Sequence, residues 1–274
     1  MHKEKETFAL RFLYKTPPGR LMLKGLVQPG FSKAAGRFLS SPASRYIVPA
    51  YKKLNEIDTG DCISQEYGSF NEFFYRKRKE ELFDEDPAGL ISPCDGLLSV
   101  YPVDDRCTYR IKNVDYDLGQ LLRDESLAQS YSGGLCLVFR LTPKHYHRYC
   151  FTADGEISCS RRIEGVLHCV RPIAYTNRPV FIENSREYVV IDTENFGEII
   201  QMEVGALMVG KIHNHESISR AVKGREKGYF EFGGSTIIVL TQKDRLDVPE
   251  EYIQKTKLGL ETDIRKGQLA GRAR

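Results

Sequence analysis

The stretch 223–240, KGREKGYFEFGGSTIIVL, constrains the chain most. Its last part, Ile237 to Leu240, is an unbroken apolar run of β-branched and aliphatic residues, as expected of a buried strand. Gly224 and Gly228 ahead of it allow tight backbone turns, because a residue without Cβ tolerates positive φ. Tyr229, Phe230 and Phe232 then lead into Gly233-Gly234, directly followed by Ser235-Thr236. A turn feeding a buried strand accounts for the glycines. It leaves unexplained why two hydroxyl residues stand at the mouth of a strand that otherwise selects Ile, Val and Leu.

Chemistry offers a reason. At a strained Gly-Ser peptide bond the serine Oγ can attack the preceding carbonyl carbon and shift the acyl group from nitrogen to oxygen. The ester can then eliminate, leaving a dehydroalanine that hydrolyses to an N-terminal pyruvoyl group. Gly234 carries no side chain to crowd that attack, and both glycines tolerate unusual backbone angles.

With 274 residues, 41% hydrophobic and 28% charged, the composition is that of a globular chain able to bury one large core or two modest ones. A net charge of +3 gives no reason to expect a nucleic-acid partner. The seven cysteines include no C-x-x-C pair, which reads as reduced thiols. No run approaches the roughly 20 apolar residues of a membrane span, and the N-terminus lacks the apolar core of a signal peptide. The expected location is therefore inside the cell, at most on the surface of its membrane.

Residues 8–53 read as short helices. Pro17-Pro18-Gly19 interrupts the first, and 20–27 and 31–39 mix Leu, Met and Phe with Arg20, Lys24, Lys33 and Arg37. Such helices either pack on a core with a solvated basic face or lay their apolar side into anionic lipid. Residues 69–79, SFNEFFYRKRK, read as an amphipathic helix with Ser69 as N-cap, Glu72 at capping-box spacing, an apolar face of Phe70, Phe73 and Phe74, and basic residues at the end. From Leu90 onward short β-like runs take over. Asp95-Gly96 has the signature of a β-turn, and Leu135 to Leu141 is a buried strand running into His145-Tyr146-His147-Arg148. A His-x-His pair can bind metal, but no nearby carboxylate completes a site, so no metal is expected and one histidine serves better as a base. His168 either fills the core or meets a ligand.

These segments together resemble the phosphatidylserine decarboxylase family, in its prokaryotic-type proenzyme form, over about Phe8 to Gly271. Gly233-Gly234-Ser235-Thr236 stands where the family has Leu-Gly-Ser-Thr. Phe70 to Arg76 is similar to its Phe-Asn-(Asp/Glu)-Phe-Phe-x-Arg segment, and Ser92 to Gly96 to its Ser-Pro-x-Asp-Gly. Tyr146-His147-Arg148 matches Pro-x-x-Tyr-His-Arg. Leu167 to Pro172 resembles Leu-His-x-Val-x-Pro, Asn184 to Arg186 resembles Asn-x-Arg, and Val204 to Gly210 resembles Val-Gly-Ala-x-x-Val-Gly. Two positions depart from the common pattern: His145 replaces an aspartate, and Cys150 replaces a second histidine that many members carry.

The resemblance implies an α+β fold, with N-terminal helices (1–80) packed on a mainly antiparallel β domain (81–274) that the C-terminal fragment completes. It implies a proenzyme that cuts itself between Gly234 and Ser235 into chains 1–234 and 235–274, which stay associated. Ser235 is the expected nucleophile and the source of the pyruvoyl group, His147 the base and Asp95 its partner. Tyr146, Arg148 and His168 are the expected substrate contacts. Neither pyridoxal phosphate nor metal is expected. The mature enzyme is expected to form a Schiff base with phosphatidylserine, release CO2 and leave phosphatidylethanolamine, peripherally on the cytoplasmic face of the cell membrane. Homo-oligomerisation is left open. Two other readings stay open: a pyruvoyl decarboxylase of a free amino acid, and an uncleaved lipid-binding module.

Overall fold

The strands Leu135–Leu141 and Ser235–Thr241 follow the apolar runs of the sequence. The computed structural model describes residues 8–176, 178–207, 212–215, 219–232 and 235–274. The Gly233-Gly234 pair and residues 208–210 of the Val-Gly-Ala-x-x-Val-Gly segment therefore lie outside the described residues.

The chain opens with helices α1 (Phe8–Lys15), α2 (Pro17–Leu26), α3 (Pro29–Leu39), α4 (Val48–Asn55) and α5 (Phe70–Phe74). Pro17-Pro18 does not merely end α1. It starts α2, with Thr16 as N-cap accepting from the Gly19 N–H at 3.1 Å. Proline suits the first helical turn, where its missing N–H costs nothing. Ser69 caps α5 as the sequence indicates, its hydroxyl accepting from Glu72 N–H at 3.2 Å, while the Glu72 carboxylate reaches back to Gly68 N–H at 2.7 Å. The helix ends at Phe74 rather than Lys79. Arg148 Nε takes the carbonyls of Tyr75 and Arg76, at 2.7 and 3.3 Å, and Arg78 is drawn away to carboxylates, so the basic run cannot continue the helix.

Eleven strands build the framework of the site: β1 (Gly96–Pro102), β2 (Leu135–Leu141), β3 (Arg148–Cys150), β4 (Gly155–Ile163), β5 (Arg186–Thr193), β6 (Gly197–Val204), β7 (Ile212–Asn214), β8 (Arg220–Ala221), β9 (Glu226–Phe230), β10 (Ser235–Thr241) and β11 (Thr262–Ile264). Eight form one antiparallel sheet in the order β8-β4-β5-β6-β10-β2-β1-β11, and β7-β9-β3 form a second. The protein is thus α+β, with N-terminal helices on mainly antiparallel sheet.

Strand β10 lies between β2 and β6, so residues 235–274 supply a central strand and the edge strand β11. All seven β10 residues are buried. Ile237 and Val239 enter one core with Leu137, Phe139, Tyr149, Phe151 and Phe230. Ile238 and Leu240 enter another, on the opposite face, with Val138, Met202, Tyr116 and Phe181. Burial on both faces is why this strand is apolar without alternation. A third, aromatic cluster of Phe70, Phe73 and Phe74 with Tyr51 also takes in Phe232, the last described residue before the glycine pair.

Gly224 does hold a positive φ of 77°, as its place in a turn requires. Gly228 does not sit in a turn. It is inside β9, where an added Cβ would lie 2.1 Å from the His213 carbonyl, so its role is close approach of β7. Arg186, almost fully buried, donates to the carbonyls of Leu121, Ile182, Asn184 and Gln120 at 2.6–2.9 Å. Arg186→Met strands those acceptors in the interior, and a loss of about 3 kcal/mol or more is expected from chemical denaturation.

Candidate active site

The register places the sequence-predicted residues at one end of the large sheet. A row of cross-strand partners, Leu97, Arg140, Thr236, Val204 and Arg186, runs over β1, β2, β10, β6 and β5. Just beyond it come Asp95, the 142–147 segment, Ser235, and the Gly205–Leu207 continuation of β6. His168 joins this end through its carbonyl, which accepts from Leu207 N–H at 3.2 Å.

His147 is fully buried, its ring 3.8 Å between centroids from that of Phe74. Burial above all, with the nearby Arg76 cation, pushes its imidazolium form far below the ordinary range, so the ring is neutral. Its Nδ1 lies 2.9 Å from the His145 carbonyl, an acceptor only, so Nδ1 carries the proton. Nε2 is left with its lone pair and, among the described residues, no hydrogen-bond partner. Ser235 Oγ and Thr236 Oγ1 are likewise buried and without partners. A buried orphan hydroxyl costs stability, and an orphan base is buried at the same end of the sheet. The connection of His147 to the segment that leads into Ser235 is physical. Phe230 N–H donates to the His147 carbonyl at 2.9 Å, and Phe74 packs edge-on against Phe232 at 5.2 Å.

Asp95 makes no hydrogen bond to His147 in this structure. Its two oxygens accept from Arg78, at 3.2 and 2.6 Å, and one also accepts from Lys266 N–H at 2.9 Å. Burial alone would raise its pKa, but the Arg78 guanidinium and the Lys266 amide outweigh that and hold it below the usual carboxylate range. Asp95 thus ties the tail of α5 and the C-terminal segment to the start of β1, while the His145 carbonyl orients the His147 ring.

The departures from the family pattern now have positions. His145 Nδ1 accepts from Thr142 N–H at 2.9 Å, and burial lowers its pKa to about 4 despite the charge of Asp95. The Cys150 thiol is pushed up to about 12 by burial and stays protonated at neutral pH.

The remaining candidates are held by the protein itself. Tyr146 donates to Glu81 at 2.6 Å beneath the Arg78 guanidinium, which lies 4.4 Å from the ring centre. Arg148 pairs with Glu226 at 2.8 Å besides its backbone contacts. His168 Nε2 is 3.3 Å from Glu183 and Nδ1 is 3.5 Å from the Tyr14 hydroxyl of α1. Arg78, Phe74 and Phe232 were not singled out from sequence as parts of the site. The RKRK run was the available signal for Arg78, but it reads as a solvated helix end.

Two neutral buried histidines make stability depend on pH. The unfolded chain binds a proton near pH 6.5 and the folded one resists it, so stability falls as pH drops below that value. For His145 the fall levels off below its value of about 4. Its share is about 3 kcal/mol between pH 6.5 and 4, at about 1.4 kcal/mol per unit. Unfolding free energies from urea titration of uncut chain are expected to fall less with acid in His145→Gln, by about 3 kcal/mol between pH 6.5 and 4.

A profile of the phosphatidylserine decarboxylase family matches residues 70–271. The chain is 43% identical over 272 residues to phosphatidylserine decarboxylase proenzyme 2 of Clostridium acetobutylicum, covering 98% of this chain and 93% of that protein. It is 40% identical to the phosphatidylserine decarboxylase proenzyme of Ruminiclostridium cellulolyticum, over 96% of this chain and 90% of that one. To the Fusobacterium nucleatum proenzyme it is 36% identical, again over 96% and 90%.

Proposed function

We propose, because the chain belongs to the phosphatidylserine decarboxylase family, that it is a proenzyme that cuts itself at Gly234-Ser235 and then converts phosphatidylserine to phosphatidylethanolamine and CO2. The observation that carries this reading is the pair of buried, unpartnered atoms, Ser235 Oγ and His147 Nε2, with the imidazole neutral and its proton fixed on Nδ1.

In the cut, His147 Nε2 accepts the Ser235 hydroxyl proton and Oγ attacks the Gly234 carbonyl carbon, for a serine hydroxyl is a poor nucleophile without a base. The acyl group passes to Oγ and the former amide nitrogen takes up a proton. Elimination frees the Gly234 carboxylate, and hydrolysis releases ammonia to leave a pyruvoyl group at residue 235. Ser235 fits this conversion: its hydroxyl is uncommitted, and β10 holds the residue from both sides. The pyruvoyl group supplies a carbonyl that takes up the substrate amine and accepts the electron pair left by CO2. His147 then stands ready as the proton carrier, since the same nitrogen can return a proton to carbon. On this reading His168, with the Tyr14 hydroxyl of α1 against it, serves as the contact for the substrate headgroup, while Tyr146 and Arg148, each engaged by a carboxylate of the chain, serve as positioning residues.

The N-terminal helices expose apolar side chains among basic ones. Phe8, Leu21, Met22 and Leu54 are 86%, 70%, 57% and 82% exposed, among exposed Arg20, Lys24 and Arg37. No helix among the described residues is long and apolar enough to cross a membrane. Exposed apolar side chains mixed with basic ones suit peripheral docking on anionic lipid. Cut protein supplied with phosphatidylserine vesicles is expected to form phosphatidylethanolamine and CO2, and to sediment with the vesicles less as salt rises. Release of CO2 from free serine, with none from the vesicles, would replace the lipid reading by that of a soluble amino-acid decarboxylase.

A further inference from the structure

Glu203 on β6 and Lys227 on β9 form an ion pair with side chains 0% and 4% exposed, a costly arrangement in a protein interior. Burial raises the Glu203 pKa although Lys227 opposes it. The pair is tightly held. Lys227 Nζ also donates to Asn214 Oδ1 at 2.9 Å, and Glu203 accepts from Asn214 Nδ2 at 3.2 Å and from Gln201 Nε2 at 3.3 Å.

Its place in the register gives it significance. Glu203 is the cross-strand partner of Ile237 on β10, so Ser235, two residues earlier on the same face, is its diagonal neighbour, about 7–8 Å away by strand geometry. Lys227 lies on β9, which leads through Phe230 and Phe232 into the Gly234-Ser235 bond. The pair therefore spans the strand that delivers the bond and the strand that flanks the nucleophile.

We propose that the Glu203–Lys227 pair is a positioning device for self-cleavage, locking β9 over β6 so that the Gly234 carbonyl is presented to Ser235. The inference rests on the self-cleavage reading above. An apolar pair can fill the space, but it lacks the directional contacts that fix β9 along β6. A displacement of about 1 Å at a reacting centre can cost about 100-fold in rate.

The test is the rate at which freshly made full-length chain is cut, followed by intact mass. E203M/K227M substitutes two unbranched apolar side chains, and Asn214 and Gln201 each keep another partner, Glu187 and the Cys150 carbonyl respectively. Its melting temperature, compared in the uncuttable S235A background, is expected to stay within a few degrees of the parent. Its cleavage is expected to slow by about 10- to 100-fold, while K227R, which keeps the cation, stays within about threefold of wild type. Wild-type cleavage in E203M/K227M, or K227R as slow as the double variant, overturns the proposal. Should the double variant not fold, E203Q decides on the same scale: slowed cleavage supports the proposal and the wild-type rate overturns it. A wild-type chain that never cuts itself refutes the underlying reading instead, and is distinguishable because no variant is then needed.

Discussion

Ser235→Ala is expected to leave the chain whole, near 31.3 kDa, and to abolish phosphatidylserine decarboxylation, a fall of more than about 10⁴-fold. Without the hydroxyl no acyl shift can start, and without the shift no carbonyl group forms at residue 235 to accept the substrate amine. The same change is expected to raise stability or leave it unchanged. Ser235 Oγ is buried without a partner among the described residues, and deleting an unsatisfied buried hydroxyl removes a desolvation cost of about 1–3 kcal/mol. A variant that is more stable yet inert separates a functional hydroxyl from a structural one. A destabilised but still processed S235A chain would place the nucleophile elsewhere. Gel mobility, thermal melting and CO2 release together read the result.

The second large effect is expected at His147. His147→Gln keeps an amide donor that can reach the His145 carbonyl but has no basic nitrogen, and cleavage is expected to slow by about 10²–10⁴-fold. Asp95→Asn separates two accounts of how that base is held. If Asp95 oriented the imidazole directly, Asp95→Asn and His147→Gln would slow cleavage alike. The geometry instead gives the carboxylate to Arg78 and Lys266 and the imidazole to a backbone carbonyl. Asp95→Asn is therefore expected to appear first as lost stability, with about 3 kcal/mol as the scale for breaking a buried pair, and only secondarily as slower cleavage. Cleavage kinetics on soluble, folded protein of each variant distinguish the two.

What could be read from the sequence was what is local. The apolar run of β10, the Ser69 cap and the three phenylalanines of α5 each announce themselves within a few residues, through periodicity and capping chemistry. Ser235 and His147 stand out in the sequence because their segments resemble a family. What depends on distant partners was not. Arg78 lies 17 residues before Asp95 in a run that looks like a charged helix end, and only the folded chain brings it to that carboxylate. Gly228 looks like a turn glycine until β7 is laid against it. Glu203 and Lys227, charged residues in otherwise ordinary strands, give no sign in sequence that they face each other in the interior. Tertiary context decides such cases.

The central claim is that this chain makes its own reactive carbonyl from Ser235, and the intact mass of purified protein tests it most directly. The account predicts two fragments, residues 1–234 and 235–274, with the smaller lighter by one ammonia than a peptide beginning with serine. A single uncut species near 31.3 kDa, persisting after incubation with phosphatidylserine vesicles, would contradict it and leave a lipid-binding protein in its place.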